Sequence, residues 1–310
     1  MMNKLISLLL AIVCIFSVYG ACAEITEEDI ANMDTTMPVN DLIDPEDFSD
    51  EGGEGVVLFV EGEPDTGTEP DDDSDNDAVI VEGFIPDGME KVIIGKDNRT
   101  TVKNTKKYPF SAIANMIVTG ECGETWTGTG FMVGRNCLLT AAHCMICPEH
   151  GKWAKKVTLY FGYQNKKNYL YKYTGGWKAR AGTSFPNRRY DFNAMQDDWC
   201  YLILDKKVGD KTGWFGLNCA SKKQISKRKY KAAGYRSNIL KYGNGKAKMY
   251  NKKLITYNND TLPGNSGGPI YTSKNYVEAI IIAENKFTLT NWGRRITSDI
   301  WTRMYKDGYK

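Results

Sequence analysis

Charge divides this chain into two parts that have to be read separately. Residues 24–91 hold 24 Asp and Glu against a single base, Lys91, a net charge of −23, whereas residues 92–310 hold 14 acids and 38 bases, a net charge of +24. The acidic part is also rich in Gly, Pro, Ser and Thr and poor in aromatics, so it buries too little apolar surface to offset its chain entropy. It reads as a pro-segment that is disordered on its own. Asp71, Asp73, Asp75, Asp77 and Glu82 fall at calcium-loop positions, with Asn76 where glycine is wanted. The flanks show no helical period, and a solvated acidic run is the better reading.

Residues 1–23 read as a signal peptide: Lys4, an apolar run from Leu5 to Val18, and the small-x-small pattern Ala21-Cys22-Ala23. The run is short for a membrane span, so export without an anchor is expected. The domain that remains, 92–310, has 219 residues. Its apolar residues come in short clusters such as VTLYFGY (157–163), WCYLIL (199–204) and YVEAIIIA (276–283), separated by Gly, Asn and Lys turns. Such spacing predicts strands. One helix is expected near the end, where Ile296, Ile300, Trp301 and Met304 share a face behind Thr297 and Ser298 as caps. The economical architecture is all-β, of two barrels at roughly 92–210 and 211–310.

The stretch T-L-P-G-N-S-G-G-P-I places Ser266 in a glycine turn before an apolar strand. A serine hydroxyl is inert at neutral pH unless a base lies within hydrogen-bond reach and N–H groups face the oxyanion that forms. The chain has two histidines, and His143 ends the apolar strand of C-L-L-T-A-A-H-C, where a base can be held; alone it would read as a satisfied core residue. A carboxylate must then orient it. Asp198 heads W-C-Y-L-I-L after a polar loop and is the candidate, with Asp197 its exposed neighbour and Asp191 a rival.

The elements T-A-A-H-C, D-W-C-Y-L-I-L and G-N-S-G-G-P, in this order, resemble the trypsin-like serine endopeptidases. The stretches V-I-I-G-K-D-N-R-T-T-V-K-N-T-K-K-Y-P-F-S-A-I and G-R-R-I-T-S-D-I-W resemble the bacterial glutamyl endopeptidases within that group. The resemblance spans nearly all of 92–310 and implies a chymotrypsin-type fold of two six-stranded β-barrels with a C-terminal helix. It implies Ser266 as nucleophile, His143 as base, Asp198 as its orienting acid, and an oxyanion hole from the N–H groups of Gly264 and Ser266. It also implies a mature chain beginning at Val92, after cleavage behind Lys91.

Two departures bear on specificity. Asn265 stands where trypsins keep an aspartate for the new amino terminus. Where glutamyl relatives place a pocket histidine this chain has Ile282, Ala283 and Glu284. Asp260, followed by Thr261, stands six residues before Ser266, the spacing of the trypsin pocket-floor aspartate, although glutamyl relatives can carry Asp-Thr there too. The expected substrate-binding residues are therefore Asp260, Thr261, Ala283, Glu284 and Val92, with Arg or Lys preferred before the scissile bond and Glu as the alternative.

Six cysteines, at 122, 137, 144, 147, 200 and 219, lie in the mature part, and in an exported protein disulfides are the default. H-C-M-I-C-P-E-H offers Cys144, Cys147 and both histidines as zinc ligands, but that set would consume the catalytic base and is spaced too tightly, so no metal or other cofactor is expected. Lysine runs such as S-K-K-Q-I-S-K-R-K-Y-K (221–231) suit a solvated face; a non-catalytic cationic binding module is the reading from another class. The partners expected are protein or peptide substrates, with no nucleic acid and no membrane span after signal removal, for a monomer.

Overall fold

The computed structural model describes residues 97–147, 150–165, 168–185, 190–285 and 290–307, with an isolated strand at Val56–Val57. The signal peptide, the calcium-like loop, nearly all of the acidic segment, and Val92 lie outside the described residues.

Two sheets make the structure. The first contains β1 (Ile113–Gly120), β2 (Thr125–Met132), β3 (Cys137–Thr140), β4 (Ile146–Cys147), β5 (Lys152–Phe161), β6 (Tyr171–Tyr173), β7 (Trp177–Ala181) and β8 (Cys200–Leu204). Its order is β4-β5-β1-β2-β3-β8-β7, with β6 added to β5. The second contains β9 (Gly216–Cys219), β10 (Lys229–Arg236), β11 (Ile239–Met249), β12 (Leu254–Tyr257), β13 (Pro269–Tyr271), β14 (Tyr276–Asn285) and β15 (Thr290–Arg295). Here β15 pairs with both β12 and β14, so six strands close into a barrel. The architecture is the expected chymotrypsin-type pair of β units with a terminal helix. Its first unit is a curled half-barrel: among the described residues β6 and β7 pair only with β5 and β8, and the curl stays open between them. Strand Val56–Val57 pairs antiparallel with β9.

The apolar clusters of the sequence are strands because their neighbours cover them on both faces. In β8 all but Ile203 are buried, and β1 is buried along its first four residues. Between the sheets Phe215 meets Phe131 of β2 edge-on at 5.9 Å and Tyr271 of β13 at 5.1 Å. Such contacts add about 0.5–1.5 kcal/mol each beyond area burial.

Among the described residues three short α-helices precede the terminal one: α1 (Phe192–Gln196), α2 (Gly209–Thr212) and α3 (Lys222–Lys227). The basic run from Ser221 thus splits into α3, opened by a capping box between Ser221 and Gln224 and anchored by buried Ile225, and the start of β10. The terminal helix α4 (Ser298–Lys306) has Thr297 at its N-cap position and buries Ile300 and Met304, as the periodicity predicts; the Thr297 side chain accepts from Arg294 at 3.0 Å rather than from the helix backbone.

Among the described residues the six cysteines of the domain carry no disulfide bond. Register explains one pair. On adjacent strands β3 and β8, Cys200 stands opposite Thr140 and Cys137 opposite Ile203, three residues out of step. Burial pushes both of these thiols well above the usual thiol range.

Candidate active site

His143 lies in a single 3₁₀ turn, Ala142–Cys144, at the end of β3. The strand leads into it through Ala141 and Ala142, both fully buried. Asp198 stands two residues before the strand end at which Cys200 pairs with Thr140, so pairing of β3 with β8 carries His143 and Asp198 to the same end of the sheet. Asp198 is fully buried and uses both oxygens. Oδ1 accepts from the His143 backbone N at 3.0 Å, and Oδ2 lies 2.6 Å from His143 Nδ1. The Tyr190 hydroxyl donates to Oδ2 at 2.5 Å, and its ring meets the imidazole edge-on.

The rival carboxylates have other tasks. Asp191 caps α1 by accepting from Ala194 N at 3.0 Å, and Asp197 pairs with Lys253 at 2.7 Å. Burial works against a charged His143, but the Asp198 carboxylate and then Cys144 together outweigh it and raise the imidazole pKa. Tyr190 is held well above the ordinary phenol range, by burial first and then by the Asp198 charge.

Ser266 sits on the turn between Asp260 and β13, with Gly264 and Gly267 at φ of 91° and 81°. A Cβ on Gly267 would fall 2.1 Å from Thr129 O and Thr140 Oγ1, so only glycine lets this turn lie against the first sheet. Thr129 of β2 does most of the joining. Its N–H donates to Ser266 O at 2.8 Å, its hydroxyl donates to Gly264 O at 2.7 Å and accepts from Tyr235 N at 2.9 Å, and its carbonyl accepts from Thr140 Oγ1 at 2.7 Å. Cys144, beside His143, donates to the same Ser266 carbonyl at 3.4 Å. The Ser266 turn of the second unit is therefore fastened to the His143 loop of the first. The backbone N–H groups of Asn265, Gly267 and Gly268 are each taken by a carbonyl.

Asn265, where trypsins keep an aspartate, makes hydrogen bonds to the main chain: Oδ1 accepts from Leu262 N at 2.8 Å and Nδ2 donates to Tyr235 O at 2.9 Å. The positive charge comes from Arg99, which donates to Asn265 Oδ1 at 2.9 Å while its other nitrogens bind Asp97 at 3.0 Å. Hydrogen bonding to Arg99 holds the Asp97 carboxyl far below its usual range. Next to it, buried Asp260 accepts from Asn98 N at 3.1 Å, and Thr261 is buried beside Asp260. On β14, Ile281 exchanges backbone bonds with Gly267 and Gly268 and so flanks the Ser266 turn; Ala283 follows a bulge and is half-buried, and the Glu284 backbone pairs with Asn291.

Sequence reasoning missed Tyr190, Thr129 and Arg99. Only Arg99 carried a signal, as the one arginine in the segment resembling the mature amino terminus.

The sequence profile of the Trypsin family matches residues 100–293. The chain belongs to the trypsin family. This trypsin-family serine endopeptidase is 27% identical over 231 residues to the extracellular metalloprotease of Bacillus subtilis (strain 168), covering 68% of each chain. It is 28% identical over 193 residues to the glutamyl endopeptidase of Bacillus licheniformis, a match that spans 58% of this chain and little more than half, 55%, of that relative. Among solved structures, a Glu endopeptidase in complex with MPD superposes with a TM-score of 0.60 at 20% identity, over 70% of this chain and 99% of the other. The protease Anisep from Arthrobacter nicotinovorans gives 0.53 at 20%, over 66% and 97%. The protease thus lies near the glutamyl endopeptidase group, and no helix among its described residues is long and apolar enough to cross a membrane.

Proposed function

We propose that this chain is an exported endopeptidase that cleaves peptide bonds through an acyl-enzyme on Ser266. The observation that carries the reading is the buried His143–Asp198 pair at 2.6 Å, on a loop bonded to the Ser266 carbonyl. His143 takes the Ser266 proton as Oγ attacks the substrate carbonyl, and gives it to the leaving amine when the C–N bond breaks. Asp198 keeps the proton of Nδ1 facing inward and stabilises the imidazolium; Tyr190 holds that carboxylate in place. The N–H groups of Gly264 and Ser266 receive the oxyanion, and water then repeats the sequence to release the acid. A fluorophosphonate should label Ser266 of the folded protein, and absence of that adduct would end the reading.

Maturation is part of the proposal. Residues 1–23 direct export and residues 24–91 are a removable acidic segment, attracted to a domain of opposite charge and so sensitive to salt. Amino-terminal sequencing of the active secreted form should begin at or within a few residues of Val92. Full activity with residues 24–91 still attached would reject this.

For specificity we put Asp260 opposite Arg or Lys before the scissile bond. A buried carboxylate facing a guanidinium makes a charge-assisted contact, and removing one partner of such a pair costs about 3 kcal/mol or more. Asp260→Ser should then lower kcat/KM for an Arg peptide by about 100-fold, while matched Glu and Phe peptides change little. A second reading, preference for Glu, is favoured by two observations: Asp260 already accepts from Asn98 N, and Arg99 brings a guanidinium to the neighbouring Asn265. A wild type that prefers the Glu peptide would decide for it. The substrates are proteins or peptides, the acting form is a monomer, and the lysine runs are solvated surface.

A further inference from the structure

We propose that Cys122, Glu124, Cys147 and His150 form a structural zinc site that ties the β1–β2 turn to the hairpin following the His143 loop. The four ligand atoms lie within 4.8 Å of one another. Cys147 Sγ is 3.3 Å from His150 Nδ1 and 3.7 Å from Glu124 Oε2; that oxygen is 3.8 Å from His150 Nδ1 and 3.9 Å from Cys122 Sγ. A tetrahedron with metal–ligand bonds of about 2.0–2.3 Å has edges of about 3.3–3.8 Å. The side chains thus already stand near the corners such an ion requires.

The donor set selects the metal. Two thiols and an imidazole suit zinc, whereas calcium and magnesium take oxygen ligands. Four protein ligands fill a tetrahedron and leave no open position for substrate or water, which makes the site structural rather than catalytic. Backbone hydrogen bonds already join the ligand-bearing segments. Gly120 N donates to Glu124 O at 2.8 Å and Gly151 N to Cys147 O at 2.7 Å, while Glu121 N reaches across to Trp153 O at 3.0 Å and joins the turn to the hairpin. Cys147 is buried, but Glu124 and His150 are 51% and 43% exposed, so an ion has a path from solvent. Binding displaces the two thiol protons to water and involves no electron transfer.

This set differs from the one considered in the sequence. His143 is committed to Asp198 and Cys144 to the Ser266 carbonyl, so only Cys147 and His150 of that group take part. Cys122 and Glu124 come from a turn some two dozen residues earlier, brought in by the pairing of β5 with β1.

The test uses the purified full chain, made metal-free and titrated with zinc against a chromophoric chelator. About one zinc per chain is expected. Cys122→Ser and His150→Ala should each lose most of it, with circular dichroism reporting whether they fold, and Glu124→Gln, at an exposed position, should weaken binding with the fold intact. Cys219→Ser should still take up one equivalent. Cobalt in place of zinc should give thiolate charge-transfer absorption that disappears in Cys122→Ser. Zinc uptake unchanged by all three ligand substitutions would overturn the proposal, as would no uptake by a chain whose Cys122 and Cys147 are free thiols. Recovery of Cys122 and Cys147 from the exported protein as one disulfide-linked peptide pair would overturn it too.

Discussion

Ser266→Ala is expected to lower kcat/KM on a peptide substrate by about 10⁶-fold, since removing the nucleophile of such a triad disables the group as a unit. The fold should survive, for a reason specific to this site. The structural bonds at residue 266 come from Thr129 N and Cys144 Sγ, and both go to the main-chain carbonyl, which alanine retains. Thermal melts of the variant and the wild type should therefore coincide within a few degrees, while peptide cleavage and fluorophosphonate labelling vanish together. A properly folded variant retaining more than a small percentage of activity would mean that the hydroxyl is not the nucleophile.

Asp198→Asn should cost about 10⁴-fold in kcat, the size of effect seen when an aspartate of this kind is neutralised and the histidine is left in the wrong tautomer. Asp198 accepts three hydrogen bonds, from His143 N, from Nδ1 and from the Tyr190 hydroxyl. An amide has one acceptor oxygen, so its NH₂ must face at least one of these donors. The pH profile gives an independent readout. Catalysis needs neutral His143, so the rate rises with pH through the imidazole pKa; in the wild type burial lowers that pKa but Asp198 and Cys144 together raise it further, which places the acid limb above about 6.5, the ordinary value. Without the carboxylate the larger of the two influences opposing burial is gone and only Cys144 still raises the pKa, so the limb should move to lower pH. Linkage has the matching sign: a pKa raised on folding adds stability that is complete below the unfolded value and is lost as pH climbs through the folded one. An acid limb that stays put in Asp198→Asn would show that the 2.6 Å contact does not control the titration.

What could be seen in the sequence follows from where each interaction is encoded. His143, Asp198 and Ser266 each sit in a local pattern that a strand end or a glycine turn imposes, so neighbouring residues announce them. Thr129 is one threonine among several in T-W-T-G-T-G, and its role depends on Gly264 and Tyr235, more than a hundred residues away. Tyr190 lies in a polar loop whose partner is known only once the chain has closed on Asp198. The strand clusters were legible for the same local reason, but whether a sheet closes is not. That depends on how the last strands pair, and the first unit leaves β6 and β7 apart while β15 completes the second. For the cysteines the composition says nothing of which could pair; that is set by register, which holds Cys137 and Cys200 out of step on adjacent strands.

The four bonds of Thr129 also bear on when this protease is able to cut. One threonine, contributed by the amino-terminal unit, holds the serine turn of the carboxy-terminal unit, and the histidine loop grips the same carbonyl from beside it. With Ser266 as nucleophile and His143 as base, as proposed, a chain that had finished only one half would own a serine without a base or a base without a serine. Competence would then be a conjunction of two folding events rather than a property of either half.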